Sequence, residues 1–92
     1  SPATDQVLSE DLITLLEETG RIVRVSGDIF YEAKTYSAMI GRIIAHTRKN
    51  GSISVAEVRD IFNTSRKYAL PFLEHLDQRR ITRRVGDSRI LR

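Results

Sequence analysis

Apolar residues recur with helical spacing in some stretches and in short alternating runs in others, and the order of these stretches defines the chain. Leu12, Ile13, Leu15 and Leu16 share a helical face behind Ser9, a capping residue, with Glu10 and Asp11 in the first turn where carboxylates favour the positive end of the dipole. Gly20 closes this helix. Arg21-Ile22-Val23-Arg24-Val25 and Asp28-Ile29-Phe30-Tyr31 then flank Ser26-Gly27 and predict a β-hairpin. From Thr35 a longer stripe runs through Tyr36, Met39, Ile40, Ile43, Ile44 and Thr47, and it ends at Asn50-Gly51 with Arg48 and Lys49 in the last turn. Ser52-Ile53 reads as a short strand.

The C-terminal half carries the strongest local signals. Ser54 followed by Glu57 is a capping box, in which the serine oxygen accepts from the third helical N–H and the glutamate reaches back to the serine N–H. Val55, Val58, Ile61 and Phe62 fall on one face of the helix that starts there, and Asn63-Thr64-Ser65, all turn and cap formers, interrupt it. From Arg66 a second helix repeats Tyr68, Ala69, Phe72, Leu73 and Leu76 as its apolar stripe, with a bend expected at Pro71. Two helices joined by so short a turn form a helix-turn-helix. Ile81-Thr82-Arg83-Arg84-Val85 and Ser88-Arg89-Ile90-Leu91-Arg92 around Gly86-Asp87 then read as a tight hairpin. Helix-turn-helix plus hairpin is a winged helix of the α+β class.

The two hairpins resemble each other. Gly27-Asp28 matches Gly86-Asp87, Ile22-Val23-Arg24 matches Ile81-Thr82-Arg83, and Leu16 matches Leu76 after a one-residue slip. This repetition of helix and wing predicts tandem winged-helix modules. Residues 1–32 are expected to be the C-terminal part of a preceding module, its last helix and wing, and residues 33–92 a complete winged-helix domain. Glu32-Ala33-Lys34-Thr35 is expected to connect them. Ser1 to about Val7 shows no period and is expected to be a flexible tail, and a start without methionine suggests a fragment.

Charge divides the chain as sharply. Its 92 residues carry a net charge of +3, but residues 1–33 hold seven acids against Arg21 and Arg24, whereas residues 66–92 hold eight bases against Glu74, Asp77 and Asp87. The bases gather on the second helix of the helix-turn-helix and on its wing, which points to a phosphate-facing surface there. The acidic N-terminal part is expected to stay away from phosphate.

Candidate chemistry is sparse. There is no cysteine, which excludes disulfides and thiolate metal sites. His46 and His75 lie on different helices with no ligating partner nearby in sequence. Ser65 beside Lys67 has no glycine-rich elbow to make it a nucleophile, and Glu17-Glu18 occupy adjacent helix positions that do not face each other. A binding module is expected rather than an enzyme, with no cofactor and no metal. No apolar run is long enough to cross a membrane. A soluble cytoplasmic monomer fits.

At Thr64-Ser65-Arg66-Lys67-Tyr68-Ala69-Leu70-Pro71-Phe72-Leu73-Glu74-His75-Leu76-Asp77, followed by Thr82-Arg83-Arg84-Val85-Gly86-Asp87-Ser88-Arg89, the chain resembles the C-terminal end of SelB, the family of bacterial selenocysteine-specific elongation factors. The resemblance is close over residues 55–92 and rests on tandem winged-helix organisation upstream. It implies a module that binds an mRNA stem-loop, the selenocysteine insertion sequence, and recruits the factor to recoded UGA codons. Ribosome and selenocysteinyl-tRNA are then partners of the full-length factor, whose GTP-binding domains lie outside this chain. One departure is local: Gln78-Arg79-Arg80 stands where the family pattern suggests a glycine between helix and wing. Without the resemblance, a DNA-binding transcriptional regulator is the leading alternative, and a protein–protein scaffold is a third reading.

An RNA target constrains the chemistry. The A-form major groove is too deep and narrow for a helix, so specificity falls to unpaired bases. Asn63, Thr64, Ser65, Arg66 and Lys67 are expected to converge at the start of the second helix on a phosphate and a splayed base, with Arg66 reading the base. Arg59, Arg83, Arg84 and Arg89 are expected to extend the contact along the backbone, Arg84 touching backbone only.

Overall fold

The computed structural model describes residues 9–92. The N-terminal tail expected over residues 1–7 lies outside that range. Helix α1 (Glu10–Glu18) leads into β1 (Ile22–Ser26) and β2 (Ile29–Glu32), and α2 (Ala33–Asn50) is followed by β3 (Ile53–Ser54). Helices α3 (Val55–Ile61) and α4 (Arg66–Gln78) precede the second hairpin, β4 (Thr82–Val85) and β5 (Ser88–Leu91). Strands β1 and β2 form an antiparallel pair, and the other sheet has the order β3-β5-β4, so β5 is its central strand. This is a winged helix preceded by a second helix and wing.

Local codes explain the boundaries. Ser9 caps α1 by accepting from the Leu12 N–H at 3.2 Å. Ser54 and Glu57 form the full capping box of α3, with reciprocal bonds of 3.1 and 2.9 Å. Gly51 ends α2 in the left-handed region at φ 89°. The connector expected over residues 32–35 is absent as a separate segment: β2 runs directly into α2, with Glu32 at the cap position. The helix therefore starts two residues earlier than Thr35. Pro71 interrupts nothing, since α4 continues through it to Gln78; it sits in the second turn, where only the Lys67 carbonyl loses a helical donor.

The repeat is real, and the structure places its one-residue slip. Gly20 follows α1 at φ 74° and Arg80 follows α4 at φ 60°, in the same left-handed position. Arg21 N–H donates to the Leu16 carbonyl, and Ile81 N–H donates to the Leu76 carbonyl at 3.0 Å, both closing the helix end in the same way. The missing glycine between helix and wing is thus replaced by an arginine in a glycine conformation. The equivalence carries Ile22-Val23-Arg24 onto Thr82-Arg83-Arg84, one residue beyond the match made from sequence. A register shift between Arg24 and Ser26 then absorbs the extra residue. It also moves the first turn to Gly27-Asp28, in line with Gly86-Asp87.

Both hairpins serve one core. Ile43, Ile53, Val58, Ala69, Phe72, Leu73 and Leu76 are at most 1 % exposed, and Val25 of the first hairpin belongs to the same cluster. Val23, Ile29 and Tyr31 pack onto it, and the Tyr31 and Phe72 rings meet edge-on at 5.6 Å. Each fully buried side chain of this size contributes about 1.5–3 kcal/mol relative to exposure. Helix α1 is less well covered than its pattern suggests: Ile13 is buried, whereas Leu12 and Leu15 are exposed.

A polar chain borders this core. The Arg79 guanidinium donates to the Tyr36 hydroxyl oxygen at 2.6 Å, and the phenol lies 2.7 Å from His75 Nε2. With its oxygen accepting from Arg79, the phenol proton is directed at Nε2, which requires a neutral imidazole. Burial, and then the Arg79 charge, lower the His75 pKa below its ordinary value, in agreement with that arrangement.

Candidate nucleic-acid interface

The α3–α4 turn positions the site. Phe62 ends α3 and Asn63 follows at φ 50°, a left-handed conformation that asparagine tolerates better than most residues. Thr64 N–H can then donate to the Arg59 carbonyl at 2.9 Å. Asn63 thus has a backbone duty, while its side chain remains exposed. Ser65 occupies the cap position of α4 in an extended conformation, but its hydroxyl makes no capping hydrogen bond. The capping role expected of that side chain is corrected: the hydroxyl is exposed at the mouth of the helix.

From this start the residues expected to meet at one spot diverge to two. Arg66, Leu70 and Glu74, one helical turn apart, line a groove of about 310 Å³ together with Ser54, Arg84 and Asp87. The groove is bounded by the recognition helix α4, the start of α3 and the wing. Thr64 and Tyr68 line a separate cleft of about 250 Å³ on another face of α4. Lys67 lies beside that cleft, its Nζ 5.5 Å from the Tyr68 ring centroid. Tyr68, assigned to the core by its spacing, is 40 % exposed.

The wing contributes unequally. Arg83 and Arg84 are exposed on β4 and point to alternating faces. The Arg84 Nε donates to the Gly86 carbonyl at 2.9 Å, which folds the side chain over the turn. The first wing has the same device, since Arg24 donates to the Gly27 carbonyl. There, however, Glu17 and Glu10 hold the guanidinium at 3.1 and 3.3 Å. Arg59 is exposed at the end of α3, with Nε 3.6 Å from the Asp60 carboxylate.

Arg89 is the wing arginine that the fold buries. It was expected to extend the contact along the RNA backbone; it is 2 % exposed, yet it still lines the groove with Arg66 and Arg84. β5 is the central strand, so its residues are flanked on both edges, and a charge there must find a partner inside. Asp77 of α4 supplies it, accepting from Arg89 at 3.1 Å and from the Thr82 hydroxyl at 2.6 Å. Arg89 braces the wing against the recognition helix, directly across the ladder from Arg84. Asp77 was not singled out from sequence, and its pairing across twelve residues has no local signature.

Among the described residues no group of three or more His, Cys, Asp and Glu side chains could hold a metal ion. His46 and His75 are engaged separately, with Glu57 at 2.9 Å and with Tyr36. No helix among the described residues is long and apolar enough to cross a membrane.

Comparison with known proteins gives this surface a context. Over 88 % of its length the chain superposes on 67 % of a solved structure, the mRNA-binding domain of elongation factor SelB from E. coli in complex with SECIS RNA, with a TM-score of 0.81 and 27 % identity. A bacterial selenocysteine-specific elongation factor, EF-Sec, shares the fold over 95 % of the chain and 14 % of its own, with a TM-score of 0.79 and 20 % identity. Selenocysteine-specific elongation factors from Desulfomicrobium baculatum and Haemophilus influenzae are 33 % and 29 % identical over 99 % and 98 % of the chain. The chain spans only 16 % and 14 % of those two proteins. Residues 45–91 match the sequence family described as elongation factor SelB, winged helix, and with about half its length in that match the chain belongs to the SelB family.

Proposed function

We propose that this chain is an mRNA-hairpin-binding module of a selenocysteine-specific elongation factor and that it holds the factor at recoded UGA codons. The observation that carries the reading is the single groove lined by Arg66 of the recognition helix and Arg84 of the wing. Two guanidiniums, each able to fork two N–H donors to a phosphate, converge there from separate elements. The kinship with an mRNA-binding domain supports RNA as the source of the phosphates. Arg59, Asn63, Ser65 and Arg83, all exposed, would extend the contact along the backbone, while Lys67 lies beside the neighbouring cleft. Thr64 faces the neighbouring cleft. In this reading Arg66 and Arg84, which share one groove, both hold backbone, in place of the base-reading role expected of Arg66 from the sequence.

In the longer protein this binding would couple the message to the ribosome and to selenocysteinyl-tRNA, in the cytoplasm, while GTP is bound elsewhere in that protein. A gel shift tests the binding role. At one salt concentration, the chain should retard a selenoprotein-message hairpin with an unpaired nucleotide at least tenfold more tightly than a DNA duplex of matching length. Equal retardation of both would contradict the reading.

A further inference from the structure

The recognition helix has a second face, and the RNA groove leaves it unused. The cleft there is walled by Tyr31 and Met39 on one side and by Phe62, Thr64 and Tyr68 on the other. A shallower recess of about 260 Å³, reaching Asp28, Phe30 and Lys67, continues from it through the shared residues Tyr31 and Tyr68. Tyr31 is held in place by its edge-on contact with Phe72. Its hydroxyl pKa is raised, by burial first and then by Tyr68, and the two tyrosines line the same cleft. Tyr68 is the exposed wall.

Cations lie over these aromatic walls. Arg42 sits 5.2 Å above the Phe62 ring, Arg24 4.6 Å above Phe30 and Lys67 5.5 Å from Tyr68. Arg24 is already countered by Glu10 and Glu17, so Lys67 and Arg42 carry the positive charge beside these recesses. Asp28 is the one acid lining these two recesses. Aromatic planes set among cations and hydroxyls match a nucleobase with its phosphate. They match an apolar peptide side chain less well, because it would make no use of the Lys67 charge or the Thr64 hydroxyl.

Resting on the RNA-binding reading above, we propose that this inter-module cleft receives one unpaired nucleobase of the bound RNA, stacked on Tyr68 with a flanking phosphate at Lys67. The strand would lie in the Arg66–Arg84 groove and pass over the start of α4, whose side chains span about 10 Å, into the cleft. Tyr31 of the first wing then takes part in recognition, although its module is acidic overall. The expectation that residues 1–32 make no direct contribution to RNA binding would then give way at this recess.

A hairpin carrying 2-aminopurine at its unpaired position tests the assignment on the whole chain. Wild-type protein should quench the fluorophore on binding, as stacking on a ring does. Tyr68→Ala should abolish the quench and weaken this hairpin about tenfold or more, while costing at least five times less on a hairpin that lacks the unpaired nucleotide. Tyr68→Phe should restore both quench and affinity, which a merely misfolded Tyr68→Ala would not explain. Quenching retained in Tyr68→Ala, or equal losses on both hairpins, would overturn the cleft as the base site. Failure of wild-type protein to bind either hairpin would overturn the RNA reading itself, and the cleft assignment with it.

Discussion

Asp77 and Arg89, twelve residues apart, form a buried ion pair of 3.1 Å that ties the recognition helix to the central strand of the wing. The Arg89 side chain is 3 % exposed and that of Asp77 26 %, so only the carboxylate touches water. Thr82 adds a hydroxyl bond to the same carboxylate at 2.6 Å. These contacts set the angle between the elements that carry Arg66 and Arg84.

Removing one partner should therefore cost more than removing both. Asp77→Ala leaves a buried guanidinium without its counter-charge and should destabilise by about 3 kcal/mol. The double change Asp77→Leu with Arg89→Met, which leaves no orphaned charge, should recover at least half of that loss. Urea denaturation of the single and double variants provides the measurement, and a double variant less stable than Asp77→Ala would contradict the pairing.

The conformation of Arg80 leads to an unusual stabilising substitution. At φ 60° an L-residue without local side-chain compensation is strained, whereas glycine is not. Arg80→Gly should raise stability by about 0.5–1 kcal/mol, after allowing for the greater freedom of glycine in the unfolded chain. Gly20→Ala, at φ 74° in the equivalent place, should lower it by about 1 kcal/mol. Thermal melts of the two variants should shift in opposite directions.

How much of this was readable beforehand depends on the range of each interaction. The capping box at Ser54 and Glu57, the Gly86-Asp87 turn and the α2 stripe are codes contained within a few residues, and all three stand in the structure. The burial of Arg89 was not legible, because its strand could not be told from an edge strand and its partner Asp77 sits on another element. Tyr68 lies at the border of the α4 stripe, and whether that border is covered depends on how the first hairpin packs. The bulge in β1 hid the true repeat register, since one inserted residue shifts every downstream match.

Protonation of His75 should weaken the fold. Its folded-state pKa lies below the ordinary 6.5, so the folded protein binds fewer protons than the unfolded chain in that region. Stability should accordingly be fully present above about pH 6.5 and decline as pH falls through it toward the folded-state value. Glu57 acts at lower pH: the Ser54 backbone bond, and then His46, lower its pKa from 4.5, so its contribution holds above about 4.5 and is lost as pH falls further. Urea midpoints between pH 8 and 5 should fall in wild-type protein, and His75→Gln should flatten the slope across this range.

Salt and alanine variants probe the groove. If Arg66, Arg84 and one or two neighbours neutralise phosphates, the log–log dependence of affinity on salt should have a slope of about −2 to −3. Arg66→Ala and Arg84→Ala should each reduce that slope by about one and weaken hairpins with and without the unpaired nucleotide alike. A variant that changes the ratio of the two affinities would return a base-reading role to that arginine.

The binding surface itself can be located by following backbone amide resonances of the whole chain during titration with a selenoprotein-message hairpin. RNA binding by the recognition helix and wing predicts the largest shifts at Thr64 to Tyr68 and at Arg83 to Ser88, with smaller ones at Phe30 and Tyr31. Shifts concentrated on Glu10 to Glu18, or none at RNA concentrations that retard the chain in a gel, would contradict it.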